Sequence, residues 1–379
     1  MFQIKGQTIV EIPEYTLECG ETLYNFPVAY KTWGKLNSTQ SNAFLICHAL
    51  TGSSDVQDWW GPLLGINKTF DPSRYFIICI NFLGSPYGSC SPVTIDKSTG
   101  KAYGPNFPLV TAKDDVRIQK IILDQLNVKQ IACVIGGSMG GMIALEYSSI
   151  YNDSDYVKTV IALATSARAS AWCISWNETQ RQCIFNDPAY DDGYYYENGN
   201  SPTSGLAAAR MAALLTYRSR NSFETRFGRN KSNDLFTAQS YLRYQGNKFI
   251  NRFDANCYIA ITRKLDTHDI TRDHDFDLEK YLQRLKKPHL IIGIESDGLF
   301  TISEQELLGK NIPNSILKKL TSPEGHDAFL LEFELINNYC LEFLKKELPE
   351  IYESDEVFEW TEPEEFESMC SEVDNITNW

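Results

Sequence analysis

Ile131-Ala132-Cys133-Val134-Ile135-Gly136-Gly137-Ser138-Met139-Gly140-Gly141-Met142 decides how this chain is read. An apolar, β-prone run stops at two glycines and a serine, and Met142-Ile143-Ala144-Leu145-Glu146 resumes as helix. Gly136-Gly137-Ser138-Met139-Gly140 fits G-x-S-x-G, the nucleophile elbow. There a strained strand-to-helix turn needs small neighbours and presents the serine at the carboxyl end of a sheet. A dinucleotide fingerprint fails, because Ser138 occupies the place of the second glycine. A Walker A loop fails, because no Gly-Lys-Ser/Thr follows.

Working outward, Ala43–His48 and Tyr75–Asn81 read as buried strands, each ending in a loop of small residues. Thr111–Leu126 has helical spacing. Val160–Ala164, Pro288–Ile294 and Ile316–Leu320 supply further strands, and Leu330–Leu344 a last helix. Residues 1–40 alternate apolar and polar like antiparallel edge strands. Strands alternating with helices predict an α/β fold with a mostly parallel, doubly wound sheet. Between Ser166 and Asp273 the rhythm is interrupted by a polar, aromatic, helix-rich stretch in which Gly228–Asp234 reads as an exposed loop. The expected organisation is a core of residues 1–165 and 274–346, a helical lid at 166–273 and an acidic tail at 347–379.

The 379 residues carry a net charge of −14, but 12 acids and no Lys or Arg fall between Glu347 and Trp379, so the remaining chain is near −2. That distribution gives no nucleic-acid footprint. The tail, with Phe358, Trp360, Phe366 and Trp379 among its acids, reads equally as a solvated appendage or as a docking segment. No apolar run is long enough to span a bilayer, and Met1–Gly6 lacks a signal-peptide pattern, so the expected location is cytoplasmic, with no membrane partner. Ten cysteines are scattered without C-x-x-C; Cys47, Cys79 and Cys133 lie in strand-like runs, which predicts buried thiols and no disulfide framework or metal site.

A serine hydroxyl needs a base, and the base an orienting carboxylate. Of five histidines, His48 closes a strand beside a small-residue loop and reads as structural. His268 and His274 fall in the lid or its return. His289 begins a strand, at the wrong end of a parallel sheet. His326, in Ser322-Pro323-Glu324-Gly325-His326-Asp327, follows the last strand and is the expected base. The acid must follow an earlier strand; Glu295 and Asp297 compete, and Asp297, in a Ser-Asp-Gly turn, is the better placed. Ser138, Asp297, His326 is the α/β-hydrolase order. The oxyanion donors expected from the same logic are the backbone N–H groups of Met139 and of Leu50, in His48-Ala49-Leu50-Thr51-Gly52.

Over nearly its whole length the chain resembles the fungal homoserine O-acetyltransferases of the α/β-hydrolase superfamily. The resemblance is carried by Cys47–Ser53, Asp58-Trp59-Trp60-Gly61-Pro62, Gly136–Gly141, Ala164-Thr165-Ser166-Ala167-Arg168, Gly205–Arg210, Arg252–Tyr258 and Glu324–Leu330. It implies an α/β-hydrolase fold with a lid, often a homodimer through lid helices. It also implies a ping-pong transfer of acetyl from acetyl-CoA, a co-substrate rather than a bound cofactor, to L-homoserine for methionine synthesis. Arg210 matches the family's arginine for the amino acid's carboxylate and Asp327 its aspartate for the amino group; Tyr217 is a weaker match lining the tunnel. On residue type alone, Arg210 reads as a lid salt bridge and Asp327 as a helix N-cap. No basic run marks a seat for CoA's phosphates; Arg168, Arg181, Arg218 and Arg220 are candidates. Competing readings are transfer to serine or deacetylcephalosporin C, succinyl as the acyl group, a plain esterase, and a non-catalytic binding protein.

Overall fold

The computed structural model describes residues 2, 4–232, 234–274 and 277–361. The central sheet has eight strands: β1 (Thr8–Thr16), β2 (Thr22–Trp33), β3 (Ala43–Cys47), β4 (Phe76–Ile80), β5 (Ile131–Gly137), β6 (Val157–Leu163), β7 (His289–Ile294) and β8 (Ser315–Leu320). Their spatial order is β1-β2-β4-β3-β5-β6-β7-β8. The β1–β2 hairpin forms the antiparallel edge, and from β4 to β8 every pairing is parallel. In β3, Phe44 and Ile46 join the cluster on one face while Leu45 and Cys47 join that on the other, so the strand is wholly buried. That is why β3 and β5 read as unbroken apolar runs. Cys47, Cys79 and Cys133 are fully buried free thiols, and burial pushes all three pKa values up.

Helices α1 (Ala112–Gln125) and α2 (Met139–Ile150) connect core strands. Thr111 and Asp114 cap α1 reciprocally, each side chain taking the other's backbone N–H. Helix α2 begins at Met139, three residues before the apolar resumption in sequence. Glycine is a poor helix former, yet Gly140 sits in the first turn for a tertiary reason. A Cβ there would lie 2.1 Å from the carbonyl oxygen of Cys47, and one on Gly136 would lie 2.1 Å from that of Gly140.

After β6 the lid includes the helices α3 (Ala171–Phe185), α4 (Thr203–Tyr217), α5 (Arg220–Arg226), α6 (Thr237–Phe249) and α7 (Ala255–Asp266). Ser170, Ser219 and Asp254 cap α3, α5 and α7, accepting backbone N–H bonds. The segment read as an exposed loop at Gly228–Asp234 instead enters a short hairpin, with Lys231–Ser232 paired antiparallel to Leu235–Phe236. The core closes with α8 (Ile302–Asn311) and α9 (Phe333–Glu347). The last helix starts later than its apolar spacing suggests, because Gly325–Leu330 winds as a tighter 3₁₀ turn and Leu331 leaves helical geometry.

Beyond α9 the chain packs back on the body. Tyr352 and Tyr75 share a hydrogen bond, Arg74 donates to the carbonyls of Ile351 and Tyr352, and Phe358 N–H donates to Ser73. These contacts lie beside the starts of β3 and β4, the sheet edge opposite the elbow. Residues 362–379 of the acidic tail, including Phe366 and Trp379, lie outside the described residues. Among the described residues no helix is long and apolar enough to cross a membrane, and no His/Cys/Asp/Glu group could hold a metal ion.

Candidate active site

Ser138 sits between β5 and α2 with φ 57° and ψ −126°. A non-glycine residue there stores strain of order 1–3 kcal/mol. The turn is held from three sides. Ser138 N–H donates to Leu163, while Thr165 Oγ1 and Gly141 N–H donate to the Ser138 carbonyl. The strain is thus maintained by β6 and its exit loop, and it throws the Oγ clear of the sheet.

His326 Nε2 lies 2.9 Å from Ser138 Oγ, and His326 Nδ1 lies 2.7 Å from Asp297 Oδ2. The other carboxylate oxygen of Asp297 accepts the N–H groups of Leu299 (2.8 Å) and Phe300 (3.0 Å). Glu295, the competing acid, is exposed and accepts a bond from Thr321 instead. Ser296 ties the acid turn to the base loop, donating to Ser322 and accepting the Gly325 N–H. The imidazole is boxed by the rings of Tyr217, Phe300 and Phe329, with centroids 5.9, 5.5 and 5.3 Å away.

Burial disfavours the charged form of His326, but the charge and hydrogen bond of Asp297, with the charge of Asp327, outweigh it, and the pKa ends above the usual 6.5. A base must be neutral to take the serine proton, so activity should rise with pH through that elevated value. The acid limb of kcat/KM is therefore expected above pH 6.5. Asp327→Asn should move it downward, because one of the charges stabilising the imidazolium is gone; a limb that stays put would show that Asp327 does not act on His326.

The loop after β3 crosses the start of α2, as the contact of Gly140 with Cys47 and His48 requires. Leu50 and Met139 therefore come from adjoining segments. Met139 is the first residue of α2, so its N–H has no partner within the helix. His48 fixes the loop: Nδ1 donates to Ala49 O (2.8 Å), Nε2 accepts Phe82 N–H (3.1 Å), and the ring stacks on Phe82. Burial drives its pKa down to about 3, so it stays neutral in this one tautomer. From the lid, Arg252 donates to the carbonyl of Thr51 and to the Tyr87 hydroxyl.

Arg210 and Asp327 are both buried; Asp327 follows His326 directly, and the Tyr217 ring lies between Arg210 and His326. The Arg210 guanidinium lies 5.7 Å over the Tyr217 ring and 4.9 Å over that of Phe249. Asp327 is no helix cap: its carboxylate lies 3.1 Å from Arg218 Nε, and Arg218 also pairs with Glu324. Of the residues considered for CoA's phosphates, Arg218 and Arg181 are buried and already paired, Arg181 with Glu178 and Asp266. Arg168 and Arg220 are exposed.

Sequence reasoning offered Arg218 for CoA's phosphates rather than as the partner of Asp327, gave Arg252 no role at the Thr51 loop, and missed the Leu299–Phe300 N–H pair. Arg218 had one signal, a cation closing the apolar run Leu214-Leu215-Thr216-Tyr217. The backbone donors had none, since their role depends on the turn's shape.

Fold and geometry together define a protein of the α/β-hydrolase class with a serine at its elbow. The α/β-hydrolase fold family model matches residues 42–333. A homoserine O-acetyltransferase of Saccharomyces pastorianus is 50% identical over 99% of this chain and 94% of that one. Among solved structures, a homoserine O-acetyltransferase from Bacillus anthracis superposes with a TM-score of 0.82 at 26% identity, covering 90% of this chain and 98% of that one. Esterase E22 gives 0.81 at 25% identity, covering 89% and 99%. The chain belongs to the homoserine O-acetyltransferase family.

Proposed function

We propose that this protein is an acetyl-CoA:L-homoserine O-acetyltransferase working by a ping-pong, acyl-serine mechanism. Ser138 Oγ attacks the thioester carbonyl as His326 Nε2 takes its proton. The imidazolium is stabilised by Asp297, and the oxyanion by the N–H groups of Leu50 and Met139, worth roughly 3–4 kcal/mol per donor. The C–S bond breaks, and CoA leaves with the proton from His326. Homoserine then binds, its carboxylate on Arg210 and its ammonium on Asp327. His326 removes the side-chain hydroxyl proton, the alkoxide oxygen attacks the acetyl-serine, and Ser138 leaves reprotonated. The product is O-acetyl-L-homoserine, a precursor for methionine synthesis.

The observation that favours a transferase over an esterase is the buried cation and anion, Arg210 and Asp327, beside the base. An esterase has no need of a zwitterion clamp. In this reading the carboxylate of Asp327, held 3.1 Å from Arg218 Nε, receives the ammonium. Tyr217, between Arg210 and His326, lines the acceptor's path in this reading. A cytoplasmic location and a homodimer through the lid belong to the same proposal. The lid's exposed Trp172, Leu215 and Tyr244 support the dimer.

The test varies both substrates. Parallel double-reciprocal lines and a mass increase of one acetyl group on Ser138, without acceptor, are expected. Intersecting lines with unmodified Ser138 would sink the mechanism. Acetyl-CoA turnover faster with water than with homoserine would make the protein an esterase.

A further inference from the structure

The lid segment from Arg220 to Lys248 holds six Lys or Arg and two acids, in a chain whose net charge is −14. Three of these cations converge on aromatic rings. Lys231 Nζ and the Arg229 guanidinium lie 4.5 and 5.4 Å from the Phe236 ring centroid, and Arg226 lies 5.6 Å from those of Phe227 and Tyr241. The hairpin creates the convergence by pairing Phe236 directly with Lys231. Arg229 and Lys231 are exposed, and neither has a carboxylate partner among the described residues. Two like charges on one ring are mutually unfavourable unless an anion joins them. Aromatic stacking meanwhile fixes where the charges sit, which lowers the entropy cost of gripping that anion.

One helix joins the cluster to the acceptor clamp. The cluster stands at the start of α6, whose other end carries Phe249 beneath the Arg210 guanidinium. The 13 residues of α6 cover about 20 Å. Along the way, Tyr241 packs edge-on against Phe223 and tilted against Phe227, and lies within the fields of Arg218, Asp327, Arg210 and Arg226. The basic hairpin and the acceptor clamp therefore lie at the two ends of one helix. An extended pantetheine arm with its diphosphate spans a length of this order. Arg181 and Arg218 are buried and already paired, whereas Arg229 and Lys231 are exposed.

We infer that Arg226, Arg229 and Lys231, held on Phe236 and Tyr241, seat the phosphorylated adenosine of the acyl donor. This rests on the reading of the donor as an acyl-CoA. The cations meet the diphosphate and the ribose phosphate, while the pantetheine arm follows α6 inward to Ser138. The seat contributes to donor capture and takes no part in the chemistry at the thioester.

The test is the double charge reversal Arg229→Glu/Lys231→Glu, assayed with acetyl-CoA and with S-acetylpantetheine, which lacks the nucleotide. The parent should prefer acetyl-CoA. The variant's kcat/KM for acetyl-CoA should fall about tenfold through KM, shrinking that preference by the same factor. An unchanged preference, or an equal loss with both donors, would overturn the seat. Arg229→Gln/Lys231→Gln should give a smaller loss of the same kind, separating charge from misfolding. Calorimetric binding of adenosine 3′,5′-bisphosphate to the parent and to the charge-reversed protein reads the seat without turnover. Binding abolished by the variant, in a parent that transfers no acetyl group, would keep the seat and reject the proposed reaction. Transfer by a parent whose nucleotide affinity the variant does not change would do the reverse.

Discussion

Asp297→Asn is expected to lower the rate of Ser138 acetylation by about 10⁴-fold while leaving the fold intact. The geometry dictates which way the amide must face. Two backbone N–H groups, from Leu299 and Phe300, point at one oxygen of Asp297, and His326 Nδ1 faces the other. An asparagine satisfies both N–H donors only by placing its carbonyl oxygen toward them. Its NH₂ then faces Nδ1 and donates to it. Neutral His326 is forced to carry its proton on Nε2, where it can no longer accept from Ser138 Oγ. The substitution also removes the charge that favours the imidazolium, so the barrier rises for two reasons with the same sign. Rapid-quench measurement of the acetyl-enzyme burst checks this, alongside a thermal melt. A fall of less than tenfold would mean that Asp297 is not the residue orienting the base.

The elbow, the sheet and the three residues Ser138, Asp297 and His326 were legible because each lies where a short-range pattern ends. An apolar run stops, a small-residue turn follows, and parallel strands bring successive turns to one edge. The choice of Asp297 over Glu295 also rested on local shape, a Ser-Asp-Gly turn that frees the side chain from its strand. What stayed hidden depends on contacts between distant segments. Helix α2 starts earlier than its composition suggests because Gly140 must pass the Cys47 carbonyl. The Lys231–Phe236 hairpin has no alternating pattern to announce it, being only two residues deep. Asp327 resembles a helix cap in sequence, and only the fold shows that Arg218, over a hundred residues earlier, occupies its carboxylate. Buried ion pairs across segments leave no periodic trace, so sequence could offer Arg181 and Arg218 for phosphate binding when both were already committed.

Arg210→Ala is expected to separate the two halves of the proposed reaction. The donor half needs Ser138, His326, Asp297 and the oxyanion N–H groups, and the hydrogen bonds that join serine, base and acid run directly between those three side chains. Acetylation of Ser138 should stay within a few fold of the parent. The acceptor half loses the guanidinium fork for the homoserine carboxylate. Truncating one partner of a desolvated, hydrogen-bonded charge pair costs about 2–5 kcal/mol, so kcat/KM for homoserine should drop by about 30-fold to a few thousand-fold. With the acceptor poorly held, water competes for the acetyl-serine, and the ratio of hydrolysis to transfer should rise accordingly. Arg210→Lys keeps the charge and loses the fork, and should fall between the two. Because the guanidinium also packs over Tyr217 and Phe249, truncation loosens the wall beside His326. Norvaline and 4-hydroxybutyrate, which lack the hydroxyl and the ammonium respectively, distinguish that effect from lost charge. Norvaline should inhibit the parent and not Arg210→Ala, while 4-hydroxybutyrate should be a poor acceptor for both. An Arg210→Ala protein that still discriminates homoserine from water as the parent does would remove Arg210 from the acceptor site, and with it the main argument against an esterase.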